Sequence, residues 1–583
     1  MEAFQPQSET THRPLKPGEI RIVTLLPGKL DDPIHCTLEH VKLSDLTPGS
    51  TAAYQAVSYV WGDPTQTRPI TLDKTTYPVT VNLYSALNYL RETGTPTQLW
   101  IDSLCINQQD VSERNAQVGQ MRAIFASAAR VSVWLGDYGP HPKSDWHLGF
   151  QYMIARADWM AKPPRTPAEQ HRFNTLQVRH ARGSKIMSGL LARPWFTRAW
   201  VVQEVAVRHW RNDDEKVKLM VGHLTVPWFA MDQAFGRLLY NRAALPDGTL
   251  SDSYGAPNGL CSIAKAWKYK HQLTLLAGEA KYVGFGEQLA MYLSRFTQFG
   301  ATDQRDRIYS LLGMLVGNET VPDSLAPDYS KSVSDVFHEY TAWMLREGGC
   351  IDVLSLSSGP STEGGPSWVP NFVGRRGVFY RNLEETSPAK LLDDDKLLEI
   401  EALPLTVVSA AGPRCSIRAE LSRRTADECR RYLSNCEDFL VVSAEASAEE
   451  LYNVLMTEPG ADAPAHRVVL SQPYGSYIAD EFDEYSLFTC ENGVVDFCRS
   501  TSVAPQAGDM VCLLRGSTHR YLLRPVGETE QWTLVGTAYM DAEFSRAWHK
   551  NAQQKEEDEM RESYAALWRE GAESGSVIQV VIR

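Results

Sequence analysis

Two short apolar runs, each closing on a polar cluster, constrain this chain more than any other feature. They are Tyr54-Gln55-Ala56-Val57-Ser58-Tyr59-Val60-Trp61-Gly62-Asp63 and Leu99-Trp100-Ile101-Asp102-Ser103-Leu104-Cys105-Ile106-Asn107-Gln108. Both read as a strand that carries side chains to one edge of a sheet. A third, Val131–Leu135, follows and ends at Gly136-Asp137. Between them lie helical signals. Asn82 is a cap for a helix over Leu83–Arg91, which stops near Gly94 and Pro96. Asp110 with Glu113 three residues on resembles a capping box. Val118, Met121, Phe125 and Ala128 then recur at helical spacing, so that helix lays one apolar face on a sheet. Before and among these, Ile20–Leu25 and Ile34–Val41 read as strands, and Thr71–Val81 as a hairpin turning near Lys74-Thr75-Thr76. Strand, helix, strand, helix, strand is the order of a parallel α/β sheet. The expectation is a doubly wound N-terminal domain, with Tyr54–Trp61, Leu99–Asp102 and Val131–Leu135 as neighbouring parallel strands.

The 583 residues exceed one core, since single cores stop growing near roughly 250–300 residues. The sequence divides into an N-terminal tail over 1–19, expected to be disordered, and an α/β domain over 20–210. About 139–185, rich in proline, histidine and arginine, breaks the α/β pattern and reads as a surface insertion. Periodicity resumes with Ile186–Leu191 and a helix over Trp195–Arg208. A helical region over 211–354 follows, with long patterns at Phe285–Gln298 and Val333–Arg346, and Ser355–Pro366 reads as a linker. Residues 367–583 are β-rich, with strands at Leu397–Ala402, Val511–Leu514, Tyr521–Pro525, Thr533–Gly536 and Val577–Ile582, and a charged terminal helix over Ser545–Arg569.

Charge and cysteine usage narrow the function. A net charge of −13 argues against a general nucleic-acid or anionic-membrane binder, because phosphate binding needs concentrated Lys and Arg. No apolar run reaches the roughly 20 residues that span a bilayer, and the N-terminus lacks the basic and apolar regions of a signal peptide. The ten cysteines contain no C-x-x-C pair, which fits reduced, buried thiols rather than a disulfide framework or zinc site. The expected location is cytoplasmic.

A further segment, Trp195-Phe196-Thr197-Arg198-Ala199-Trp200-Val201-Val202-Gln203-Glu204-Val205, stands downstream of the first two. In this order the three segments resemble the fungal heterokaryon-incompatibility (HET) domain. Ala301–Gly313, Pro327-Asp328-Tyr329, Pro366–Pro370, Gly508–Cys512 and Leu522–Pro525 are similar to elements that follow that domain in such proteins, while the insertion and Leu421–Asp483 match nothing recognised. The resemblance implies a role in self/nonself recognition and programmed cell death. It also implies a distant likeness to the flavodoxin-like Toll/interleukin-1 receptor (TIR) domain. Some TIR domains hydrolyse NAD with a glutamate in a helix reading Trp-Cys-x-x-Glu-Leu. Trp200-Val201-Val202-Gln203-Glu204-Val205 has similar spacing, with Val201 in place of the cysteine. The resemblance therefore makes Glu204 the candidate catalytic residue and NAD a candidate substrate, with no bound cofactor or metal. Protein partners or self-association through the N-terminal domain are implied as well.

Each candidate also has a plainer structural role. A carboxylate at Glu204 can stabilise the oxocarbenium character that develops as a nicotinamide–ribose bond breaks, or simply pair with Arg198 or Arg208. Asp102 and Asn107 can bind ribose hydroxyls, or close a turn by bonding local amides. Trp61-Gly62 can offer a stacking surface beside a close-approaching loop, or pack in the core. Trp200 and Gln203 complete the candidate substrate-binding set by their place in the Glu204 helix. Cys105, between Leu104 and Ile106, reads as a buried structural thiol. Gly284-Phe285-Gly286 lacks the third glycine of a dinucleotide loop, and no Walker A, H-E-x-x-H, EF-hand or G-x-S-x-G sequence occurs. A scaffold without catalysis, assembling through its α/β domain in signalling, is the competing reading. A regulator of secondary metabolism or stress is a third.

Overall fold

The computed structural model describes residues 12–46, 53–161, 166–168, 189–190, 193–206, 216–231, 284–296, 299–316, 321–346, 349–357, 365–372, 389–416, 434, 483–492, 495–499, 503–517, 519–538 and 565–583. The chain divides into two compact units. One comprises Met1–Ala280 with Phe299–Lys331, and the other Lys281–Gln298 with Ser332–Arg583.

The first unit is built on a nine-stranded mixed sheet. Its strands are β1 (Glu19–Leu25), β2 (His35–Lys42), β3 (Gln55–Ser58), β4 (Thr67–Leu72), β5 (Thr75–Thr80), β6 (Thr97–Trp100), β7 (Arg130–Trp134), β8 (Val217–Val221) and β9 (Leu224–Pro227). Their order is β5-β4-β2-β1-β6-β3-β7-β8-β9. β3 pairs in parallel with β6 on one side and β7 on the other, and β7 pairs in parallel with β8. The three runs read as neighbouring parallel strands are therefore neighbours and parallel. The sheet as a whole is mixed, because β1 joins β6 antiparallel and the hairpins β1–β2, β4–β5 and β8–β9 supply its flanks. It also runs past Arg208, where a helical region was expected, because the apolar strand Val217–Val221 adds to β7 and turns back through Gly222-His223.

Helices α1 (Val81–Leu90), α2 (Asp102–Cys105), α3 (Val111–Ser127), α4 (Lys143–Ala161) and α5 (Val201–Ala206) connect these strands. α1 is capped by Thr80, whose hydroxyl accepts from Leu83 N, rather than by Asn82. Asn82 instead donates to Val60 O and accepts from the Trp134 indole. α3 opens as expected on Asp110, which accepts from Glu113 N. The Glu113 carboxylate does not return to the Asp110 amide. It accepts from Asn107 N and forms a bidentate pair with Arg21 of β1, both residues buried. Gln117, Met121, Ile124 and Phe125 face the sheet, with Val118 half-buried at the margin. Within the stretch read as an insertion, α4 buries Trp146, Phe150 and Met153. The Trp195–Arg208 helix is broken. Pro194–Thr197 is a 3₁₀ turn, Arg198 bridges to Gly300, and α5 begins only at Val201. Residues 207–208, 186–188 and 191 lie outside the described residues. Phe299–Lys331 completes this unit with α6 (Asp306–Leu312).

The second unit holds the helices Phe285–Phe296 and Val333–Arg346 and a C-terminal sheet. Its strands are β10 (Lys390–Leu392), β11 (Leu397–Ser416), β12 (Asp483–Cys490), β13 (Val495–Arg499), β14 (Met510–Leu514), β15 (Arg520–Pro525), β16 (Gln531–Ala538) and β17 (Ile578–Ile582). β11, β12, β13, β16, β15 and β14 close a ring of antiparallel pairings, an arrangement that removes free sheet edges. Val408, Phe488, Cys498, Val511, Leu522 and Val535 fill a core of this sheet. Asp393-Asp394-Asp395 is a turn, as its composition suggests, and Asp395 also pairs with Arg346. Most of Ser545–Arg569 and of Leu421–Asp483 lies outside the described residues. Among the described residues no helix is long and apolar enough to cross a membrane.

Candidate functional site

Ser58 is the last residue of β3, so the chain that follows it leaves the sheet at the carboxyl end of its central parallel strands. In open α/β sheets this edge is where ligands bind, because the loops there converge on a crevice. The Ser58 hydroxyl, 1% exposed, donates to Glu204 Oε2 and accepts from Trp195 Nε1 at 2.8 Å. Glu204 is itself 4% exposed. Burial pushes its carboxyl above the ordinary range, the Arg198 guanidinium and the Ser58 hydroxyl draw it back, and the Asp102 charge raises it further.

Asp102 reaches the same edge from β6, two residues past Trp100. Its Oδ2 accepts from the Trp61 indole at 2.8 Å and its Oδ1 from Ser103 N at 2.7 Å. Burial raises its carboxyl too, against the pull of Arg198 and the Trp61 hydrogen bond. Tyr59 joins through a 2.6 Å hydrogen bond with Ser103, and its carbonyl accepts from Arg198 Nη1. One guanidinium thus stands in the field of two carboxyls and draws both down against burial.

The other candidates are distributed differently. Trp61 lies at the surface, 41% exposed, with its indole held by Asp102. Gly62 follows at φ +82°, a left-handed conformation that favours glycine, and a Cβ there would press within 3.3 Å of Asn82 Cβ. Asn107 sits in the turn before α3. Its amide donates to Glu113 and its Oδ1 accepts from Gln109 N. Trp200 and Gln203 are engaged by the Gly300–Gly313 stretch, Trp200 hydrogen-bonding Asp306 and Gln203 accepting from Gly313 N at 3.1 Å. The structure therefore brings Glu204, Asp102 and Trp61 into one cluster and engages Asn107, Trp200 and Gln203 elsewhere. Cys105 is fully buried, and its thiol is pushed up to about 12 by desolvation, as befits a structural residue. Among the described residues no group of three His, Cys, Asp or Glu side chains is placed to hold a metal ion.

Ser58, Tyr59, Trp195 and Arg198 belong to the cluster and were not singled out as site residues from the sequence. A signal was present. Ser58 is a lone hydroxyl in an apolar strand, and Arg198 a lone charge between Phe196 and Trp200, and a buried polar group must find a partner.

Residues 54–204 match the family model described as Heterokaryon incompatibility protein (HET). The chain is 25% identical over 426 residues to the Neurospora crassa protein "Heterokaryon incompatibility protein 6, OR allele", covering 62% of this chain. It spans 59% of that relative's length. No solved structure matches the chain. The matched residues begin just before β3 and end at Glu204, and so take in both carboxyls of the cluster: residues 54–204 of this chain are similar to a heterokaryon-incompatibility (HET) domain.

Proposed function

We propose that this chain acts in heterokaryon incompatibility, as self/nonself recognition coupled to programmed cell death, and that its HET domain does so by cleaving NAD. The observation that supports catalysis is the buried Glu204 carboxyl at the carboxyl end of parallel strands, held by Ser58 and set in the field of Arg198. On this reading the sheet is flavodoxin- or TIR-like, and the protein works in the cytoplasm when copies cluster through the N-terminal domain. The Glu204 charge stabilises positive character on the ribose as the bond to nicotinamide breaks. The Ser58 hydroxyl fixes Oε2 and with it the plane of the carboxylate. Trp61 offers an exposed ring for stacking, steadied by Asp102. Concentrated, purified protein incubated with NAD is expected to release free nicotinamide, and no release at any protein concentration rejects the enzyme reading.

A second reading has its own support. Glu204 is nearly inaccessible while Trp61 is exposed, which suits a domain that assembles through its surface and uses Glu204 as a structural carboxyl. The two readings differ over Glu204→Gln: a scaffold keeps its cell-killing activity, an enzyme loses it.

A further inference from the structure

The short helix that carries Glu204 is gripped from two sides. Toward the sheet, Glu204 meets Ser58. Away from it, Gln203 of the same helix and the three residues just before the helix are held by residues about a hundred positions downstream and outside 54–204. Arg198 bridges Gly300, Ala199 N donates to Gly300 O at 3.0 Å, Trp200 hydrogen-bonds Asp306, and Gln203 accepts from Gly313 N. A six-residue helix is too short to hold its own geometry, so its placement must come from packing.

The downstream stretch is in turn tied to the sheet-covering helix α3. Tyr329 donates to Asp306 Oδ1 at 2.5 Å, its backbone amide donates to Asn115 Oδ1 at 2.9 Å, and its ring lies 4.0 Å from the Arg114 guanidinium. Arg122 donates to Leu315 O at 3.0 Å. Asp306 thus stands between Trp200 and a strut fixed on α3. Gly313 makes the second contact, and a side chain there would push the end of Gln203 aside. A Cβ at Gly313 overlaps Gln203 Oε1 and comes within 3.0 Å of Arg122 Cβ.

We propose that Asp306 is a positioning residue for Glu204, acting through Trp200, and that residues 299–316 and 321–331 are an obligatory part of the HET domain's site. The functional weight of this inference rests on the reading of Glu204 given above, but the placement does not. It predicts that loosening Asp306 frees the Glu204 helix locally while the central strands stay closed.

Hydrogen exchange read by mass spectrometry on the full chain tests it without requiring activity. In Asp306→Asn, which keeps the shape but weakens acceptance from two donors, amides within 195–206 are expected to exchange about tenfold faster, with those of β3 and β7 unchanged. Gly313→Ala, which displaces Gln203 by steric means alone, is expected to give the same local pattern and serves if the first variant fails to fold. Tyr329→Phe is the control, lowering the melting temperature while leaving 195–206 protected through the Trp200–Asp306 contact. Exchange that rises uniformly, or not at all in 195–206, in both Asp306→Asn and Gly313→Ala overturns the proposal. If the wild type releases nicotinamide, Asp306→Asn should cut kcat by about a hundredfold with KM little changed, since small misplacements of a reacting group cost that much. A wild type that releases none sinks the enzyme reading and leaves the exchange result standing.

Discussion

Ser58 and Glu204, 146 positions apart, share a buried hydrogen bond in which the hydroxyl donates to the carboxylate while Trp195 donates to the hydroxyl. Neither end has bulk water to fall back on. Removing the hydroxyl therefore strands two groups at once, a carboxylate oxygen and an indole N–H.

Ser58→Ala is expected to destabilise the first unit by about 2–4 kcal/mol, since each buried polar group left unpaired costs about 1–3 kcal/mol. Denaturant unfolding followed by fluorescence measures it. A loss below about 0.5 kcal/mol, the level of a neutral surface change, shows that the network relaxes around the gap.

Arg21 and Glu113 form a buried ion pair in the same unit, with Arg21 also donating to Cys105 O. Arg21→Met leaves Glu113 buried without its cation and is expected to cost about 3–5 kcal/mol. Adding Glu113→Gln should recover part of that loss, because the uncompensated charge goes with it. The double-mutant cycle separates this from simple loss of packing.

How far the sequence revealed these contacts depends on how local they are. The strands β3, β6 and β7 were legible because an apolar run must be buried wherever it lies, and the Asp110 cap because its partner is three residues away. The break in the Trp195–Arg208 helix was not, because it is imposed by Gly300, a partner about a hundred residues off. β11 was legible only at Leu397–Ala402. The strand itself runs on through Pro404 and Gly412-Pro413, near irregularities between Pro404 and Thr406 and between Ala411 and Arg414. At the site, Glu204, Asp102 and Trp61 were found by resemblance and strand ends. Arg198, which acts on both carboxyls, lies in a segment whose true conformation only the tertiary contact reveals.

Asp306 gives a pH signature. Burial raises its carboxyl to about 6, against the opposing hydrogen bonds of Tyr329 and Trp200. A carboxyl raised above its unfolded value stabilises the fold most below the ordinary carboxylate range, and that stability is lost as pH rises through about 6. The wild-type melting temperature is therefore expected to carry a downward component between pH 4 and 7 that Asp306→Asn lacks, on the order of 2–3 kcal/mol in total. Parallel melting curves for the two proteins across that range overturn the assignment.

Glu204→Gln separates stability from function. Burial and Asp102 hold the Glu204 carboxyl up, so at neutral pH its ionised form is costly, and the sign of the shift means that stability is lost as pH rises through the folded value. The amide keeps an oxygen to accept from Ser58 and removes the charge, at the expense of a favourable interaction with Arg198. The expected result is a melting temperature at pH 7 equal to or above wild type, together with loss of nicotinamide release, because shape survives and charge does not. Glu204→Asp should keep a remnant of turnover, since the charge persists but is drawn back by one methylene from Ser58 and from the reacting centre. Calorimetry and the nicotinamide assay on the same preparations check both halves. A Gln variant that is markedly less stable, yet still kills cells when expressed, makes Glu204 a structural carboxyl and gives the site to assembly.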